Sequence, residues 1–135
     1  MSISDLPALS VLRTKMQWHQ ERQAVLSENV ANSDTPNFRP RDLVAPKFDK
    51  AGGITGATGA LPMLRTSAAH IAPTSGAGES FDQNKKAGFE TRPAGNAVNL
   101  EDEMLKVSAN QMDYAAVTGL YAKSLSLIKT AIGKG

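Results

Sequence analysis

The chain has no cysteine, and that one absence removes disulfide scaffolds, thiolate metal sites and cysteine nucleophiles together. Histidine is almost as scarce: His19 and His70 stand far apart, so a histidine-built metal or catalytic cluster has no basis in the sequence. Seven aromatic residues among 135 are few for a compact core, because aromatic side chains bring much of the buried area. No run approaches the roughly 18 consecutive apolar residues that a membrane-spanning helix needs. The opening Met1-Ser2-Ile3-Ser4-Asp5 offers neither the basic start nor the apolar block of a cleaved signal peptide. A formal charge of +2 is too small to argue for nucleic acid, although the isoelectric point near 9.0 invites the idea. The length suits one domain.

What the sequence does have is helical periodicity at its two ends. Leu100, Met104, Val107, Gln111, Tyr114, Thr118, Tyr121, Leu125, Ile128 and Ile132 follow at alternating spacings of four and three, a sustained heptad stripe. Leu105, Met112, Ala116, Leu120, Leu127 and Ala131 flank it, so the apolar arc is wider than one partner helix covers. Asn99 is placed to cap the start, with Glu101, Asp102 and Glu103 in the first turn. Lys123, Lys129 and Lys134 gather towards the end, and Gly133 interrupts it. Such a helix is about 50 Å long and needs a partner along its length. Leu9, Leu12, Met16, His19, Gln23, Leu26 and Val30 repeat the same alternation near the N-terminus, with Ser4 or Asp5 as caps and Pro7 in the first turn. That pattern ends near Asn32, where Ser33-Asp34-Thr35-Pro36-Asn37 spells a turn.

Between the ends the composition changes. Phe38, Leu43, Val44 and Phe48 are interleaved with Pro40 and Pro46, a pattern of extended chain with short strands at most. From Lys50 to Ser80, 22 of 31 residues are Gly, Ala, Ser, Thr or Pro, too little apolar surface to offset the entropy of ordering unless neighbours supply it. A second extended piece, Gly88–Arg92, is expected to pair with Phe38–Phe48. The fold expected is mainly α: long N- and C-terminal helices paired as an antiparallel, coiled-coil-like hairpin around an irregular or short-β, partly disordered middle. The corresponding segments are 1–33, 34–94 and 95–135.

None of the polar clusters reads as a reaction site. Glu101, Asp102 and Glu103 point in different directions from one helix and have no base beside them, so a solvated helix start accounts for them. Arg39, Arg41 and Lys47 around Phe38 make a modest basic patch with too few aromatic residues for a stacking groove. Gly52-Gly53-Ile54-Thr55-Gly56 lacks the Gly-Lys-Ser/Thr of a phosphate loop. His19, on the apolar stripe, reads as a packed residue. The polar positions Gln23, Gln111 and Thr118 either fix the register of the helices or face solvent.

One run is more specific. Leu26-Ser27-Glu28-Asn29-Val30-Ala31-Asn32-Ser33-Asp34-Thr35-Pro36-Asn37-Phe38 is, on physical grounds alone, an ordinary helix exit. It also closely resembles the Leu-Ser-x-Asn-Ile/Val-Ala-Asn-x-x-Thr-Pro-Gly-Tyr signature of the bacterial flagellar rod, hook and filament-junction family. The matching positions are Asn29, Ala31, Asn32, Thr35, Pro36 and Phe38. Asn37 and Phe38 stand where glycine and tyrosine are commonest; asparagine tolerates a left-handed backbone and phenylalanine keeps the ring. Arg39-Pro40-Arg41-Asp42 directly after the motif, Gly95-Asn96-Ala97-Val98-Asn99-Leu100-Glu101-Asp102-Glu103-Met104 and Asn110-Gln111 with Tyr114 resemble segments of the basal-body rod branch of that family. The resemblance covers about residues 1–48 and 94–135.

The resemblance implies a structural subunit of the basal-body rod, the tubular shaft that crosses the periplasm and carries motor torque. It implies no enzymatic activity, no cofactor, no metal, no nucleic acid, no small-molecule substrate and no membrane span. The implied partners are copies of the chain, other rod subunits, and export-gate and basal-ring components at the rod base. The implied route is export through the flagellar type III system without a cleaved signal peptide. On this reading Leu9, Leu12, Met16, Leu26, Val30, Leu100, Met104, Val107, Tyr114, Tyr121, Leu125, Ile128 and Ile132 form the subunit-packing stripe. The rival reading is another type III-exported helical assembly subunit, such as a needle or inner-rod protein, which uses other turn motifs.

Overall fold

The computed structural model describes residues 6–49, 54–55, 81, 83–84 and 91–133. Helix α1 spans Pro7–Ala31 and helix α2 spans Leu100–Ala131. Among the described residues, four two-residue strands lie between them: β1 Asp42–Leu43, β2 Lys47–Phe48, β3 Ile54–Thr55 and β4 Gln83–Asn84. The protein is therefore mainly helical, its terminal helices packed together, as expected.

The helix ends follow local chemistry. Pro7 opens α1, where its missing N–H costs nothing and its fixed φ suits the first turn. The N-cap is Leu6, which has no side-chain cap bond, and the expected caps Ser4 and Asp5 lie outside the described residues. Asn99 does cap α2: its side-chain oxygen accepts from the Glu101 amide at 3.1 Å and the Asp102 amide at 3.5 Å. Gly133, at φ +79, ends the last turn of α2 in the left-handed conformation that glycine adopts without strain. Thirty-two residues make α2 about 48 Å long.

The helices run antiparallel. Gln20 of α1 bonds Tyr114, Gln23 bonds Asn110 and Asn29 bonds Glu103, so residue numbers fall on one helix as they rise on the other. A second layer covers another side of α1. Trp18 packs with Leu43 and Phe81, and Val25 lies against them; the Trp18 indole N–H donates to the Val44 carbonyl at 2.8 Å. The Arg22 guanidinium lies 5.2 Å above the Trp18 ring and bonds both Asp42 oxygens, at 2.8 and 2.9 Å. This anchor holds the chain after the first turn against the helix.

The strand pairing differs from expectation. Strand β1 pairs antiparallel with β4, and β2 with β3. Of the expected partner Gly88–Arg92, residues 88–90 lie outside the described residues, and Thr91 and Arg92 are not strand; the Arg92 amide instead donates to the Asn96 carbonyl at 2.8 Å. Gln83–Asn84 carries no apolar alternation that marks it as a strand. The low-complexity stretch 50–80 lies outside the described residues apart from β3.

Candidate assembly site

The side of α2 that faces α1 is polar at its centre. Glu103 and Asn110 are its two buried residues, each 2% exposed. The periodicity predicted a face running along Leu100, Met104, Val107 and Gln111. Burial instead centres on the row Glu103, Asn110, Val117 and Ser124, with Val107, Tyr114, Tyr121 and Ile128 half-buried beside it. At 3.6 residues per turn, that is a rotation of about one-sixth of the circumference. Hydrogen bonding accounts for it, since a buried amide or carboxylate is retained only where its partners are met.

Those partners form a ladder along the seam. Asn110 donates to the His19 backbone carbonyl at 2.9 Å and to Gln23 Oε1 at 3.1 Å. With both amide hydrogens committed, Asn110 Oδ1 accepts from His19 Nδ1–H at 2.7 Å, which assigns the imidazole proton to Nδ1. One helical level along, Gln20 Nε2 donates to the Tyr114 hydroxyl at 3.0 Å. At the other end, Asn29 Nδ2 donates to Glu103 Oε2 at 2.8 Å and to the Arg41 carbonyl at 2.6 Å, while the Arg41 amide donates to Asn29 Oδ1 at 3.0 Å. Lys106 completes the Glu103 environment with an ion pair of 2.6 Å. The expectation that Glu101, Asp102 and Glu103 form one solvated group is corrected here: Glu101 and Asp102 are exposed, but Glu103 is buried. Among the described residues no buried side-chain nitrogen or oxygen lacks a partner.

The two sequence motifs meet at the turn end of the hairpin. The Asn96 amide donates to the Asn32 carbonyl at 2.9 Å and the Thr35 carbonyl at 2.6 Å, and Asn96 Oδ1 accepts from the Val98 amide at 2.8 Å. The Asn37 amide donates to the Ala94 carbonyl and the Ala97 amide to the Phe38 carbonyl. Asn37 takes φ +58, the left-handed conformation that glycine adopts most readily. Gly95, at φ +78, lies so close that a Cβ there would sit 2.2 Å from Asn37 Oδ1. Within the motif, Thr35 Oγ1 donates to Asn32 Oδ1 at 3.0 Å and Asn32 Nδ2 to the Glu28 carbonyl at 2.8 Å. Ala31, Pro36 and the half-buried Phe38 complete it.

Electrostatics reinforce the anchor rather than create a reactive group. Burial raises the Asp42 carboxyl, but the Arg22 hydrogen bond, the Arg22 charge, the Leu43 amide and Lys106 together bring it below its ordinary value. The Asp42 hydrogen bond outweighs burial at Arg22 and raises its guanidinium. Arg41 bonds Glu28 and Gln83, so part of the expected basic patch is tied down within the chain, while Arg39 is exposed. Among the described residues no three His, Asp or Glu side chains converge as for a metal ion, and no helix is long and apolar enough to cross a membrane.

Large apolar side chains stay uncovered on the rest of α2, set among small and polar residues. Met104, Leu105, Met112, Leu120, Leu127 and Ile132 are between 56% and 69% exposed, and Leu100 and Leu125 also face outward. Two adjoining hollows of about 350 and 380 Å³ share Gln111; the second is lined by Ser27, Val30 and Ala31 of α1 and by Met104, Val107 and Ser108 of α2. The expected stripe is thus divided. Leu9 and Leu26 are buried within the chain, Leu12, Met16, Val30, Val107, Tyr114, Tyr121 and Ile128 are half-buried, and Leu100, Met104, Leu125 and Ile132 are exposed. Of the polar heptad positions, Gln23 bonds Asn110, Thr118 bonds the carbonyl of Tyr114 in its own helix, and Gln111 is exposed. The buried ladder at Glu103 and Asn110 was missed because periodicity scores apolar residues; the Asn110-Gln111-x-x-Tyr114 pattern was its one available signal.

Known proteins similar to this chain share one description. Residues 9–39, which are α1 and the turn after it, match the family model described as flagella basal body rod protein. The flagellar basal body rod protein FlgB of Proteus mirabilis strain HI4320 is 33% identical over 99 residues, covering 71% of this chain and 72% of the relative. A second Proteus mirabilis FlgB is 35% identical over 101 residues with the same coverage. FlgB of Salmonella typhimurium is 26% identical over 109 residues, covering 79% of each. With a polar-seamed helical hairpin closed by an Asn-rich turn, this chain belongs to the FlgB family of flagellar basal body rod proteins, structural and non-enzymatic subunits of the rod.

Proposed function

We propose that the chain builds the tubular shaft of the basal body by burying the outward side of α2 between subunits, and that the shaft so formed carries motor torque across the periplasm. The observation that carries this reading is the contrast between the two sides of α2. Its inner side is satisfied by the polar ladder, while Met104, Leu105, Met112, Leu120 and Leu127 are left open. A contiguous exposed apolar surface marks an interaction site. Long helices packed side by side spread torsional load over many small contacts.

The partners on this reading are copies of the chain, other rod subunits, and export-gate and basal-ring components at the rod base. The subunit reaches its place through the flagellar type III channel without cleavage of a signal peptide. The packing stripe is the exposed part of the heptad pattern, Leu100, Met104, Leu125 and Ile132, together with the hollow between α1 and α2 at Val30 and Val107. Segments 1–33 and 95–135 form the assembling unit, and 34–94 connects them, with its Leu43 and Phe81 packed on Trp18.

The test is complementation of a strain lacking this gene. Met104→Asp and Leu125→Asp are expected to abolish rod assembly and swimming while the purified variants keep the helix content of the parent. Normal swimming with either variant overturns the assignment of this side of α2 to subunit packing.

A further inference from the structure

Helix α2 is fastened to α1 unevenly along its length. Its first half bonds α1 through Glu103, Asn110 and Tyr114. Beyond Tyr114 no side chain of α2 bonds α1 among the described residues; Thr118, Ser124 and Thr130 instead bond carbonyls of their own helix. No described residue beyond Asn110 is fully buried, and Val117, Tyr121, Ser124 and Ile128 are half-buried. Directed bonds fix register and angle, whereas apolar contact has no preferred direction and tolerates tilt.

Gly119 stands just past the last of these bonds, exposed and inside a helix of 32 residues. Nothing in the chain requires glycine there. Its φ is not positive, unlike that of Gly95 and Gly133, and a Cβ would meet no atom within 4 Å. Glycine inside a helix weakens it, because the backbone keeps conformations that alanine excludes. Thr118 weakens the same turn: its hydroxyl donates to the Tyr114 carbonyl at 2.8 Å, the acceptor that the helix gives to the Thr118 amide. Such back-bonding bends helices, and kinks form where glycine or a competing side chain interrupts the ladder. We propose that Thr118–Gly119 is a hinge at which residues 120–131 change their angle to the first half of α2. A bend of about 20° there carries the end of the helix about 6 Å. On the rod reading, which supplies only this consequence, the hinge lets one sequence meet its neighbours at more than one angle along the shaft.

Amide hydrogen exchange in the full-length chain tests the hinge. Amides 119–122 bond carbonyls 115–118 across it, and they are expected to be on the order of tenfold less protected than amides 125–128. Gly119→Ala is expected to erase most of that contrast and to raise the melting temperature by about 3 °C. In the complemented strain it is expected to reduce swimming. Thr118→Ala, which removes the competing hydroxyl and adds no bulk, is expected to move protection and swimming in the same directions. Protection that falls evenly towards Ala131 is fraying and overturns the proposal. So does a swimming defect confined to Gly119→Ala with protection unchanged, which marks the close approach of a neighbour. Gly119→Ala that swims like the parent, where Met104→Asp does not, overturns the part of the hinge in assembly and leaves the rod assignment standing.

Discussion

Asn110 holds His19 by both of its functional groups, donating to the His19 backbone carbonyl at 2.9 Å and accepting from the His19 ring at 2.7 Å. The residues are 91 positions apart in sequence, and their pairing sets the register of the two terminal helices. Replacing Asn110 with Ala strands the imidazole N–H and the Gln23 amide, at an expected cost of about 1–3 kcal/mol. The double replacement His19→Leu with Asn110→Leu removes both partners and is expected to be less destabilised than either single change. Thermal melts followed by circular dichroism check the order of the four proteins.

The seam has a second lock at Asn29, whose side chain serves the Arg41 amide, the Arg41 carbonyl and the buried Glu103 carboxylate at once. Asn29→Ala is expected to cost about 2–3 kcal/mol, because a hydrogen bond to a charged group is lost and the main chain of Arg41 is left unpaired. Asn29→Asp is expected to be worse still, since it sets a second carboxylate against Glu103. Chemical denaturation midpoints measure both.

Much of this was legible beforehand, and the parts that were not share a cause. The Asn99 cap, the helix stop at Gly133 and the left-handed Asn37 follow from rules that act within a few residues, so sequence reading reaches them. The pairing of the Asn32–Asn37 turn with Gly95–Ala97 joins two motifs that the sequence displayed separately. The rotation of α2 towards Glu103 and Asn110 was not legible. Its reason is a set of hydrogen-bond partners 74 to 91 residues away, and no local pattern weighs a distant amide against a nearby leucine.

Gly95 and Asn37 make the turn end sensitive to added bulk. Gly95→Ala forces a Cβ against Asn37 Oδ1 and holds an alanine at φ +78, so a loss of about 1–2 kcal/mol is expected. Asn37→Gly at φ +58 is expected to be neutral or slightly stabilising. Comparison of the two melting temperatures tests whether backbone geometry or side-chain identity governs this turn.

The Arg22–Asp42 anchor predicts acid sensitivity of a defined sign. The Asp42 carboxyl is held below its ordinary value in the folded chain, so its contribution to stability is complete above the ordinary carboxylate range, near about 4. It is lost as pH falls through the lower folded value. Asp42→Asn is expected to flatten that part of the stability–pH curve and to leave the curve above about pH 5 parallel to the parent's. Urea titrations between pH 2 and pH 7, on the order of one per pH unit, read the difference directly.

The central claim is that the outward side of α2 is buried between subunits in the rod. It is tested most directly by thiol labelling of Met104→Cys and Leu125→Cys, in a chain that has no other cysteine. Both positions are expected to react quickly with a maleimide in the purified subunit and to be protected in isolated basal bodies. Equal reactivity in the free and assembled states contradicts the account.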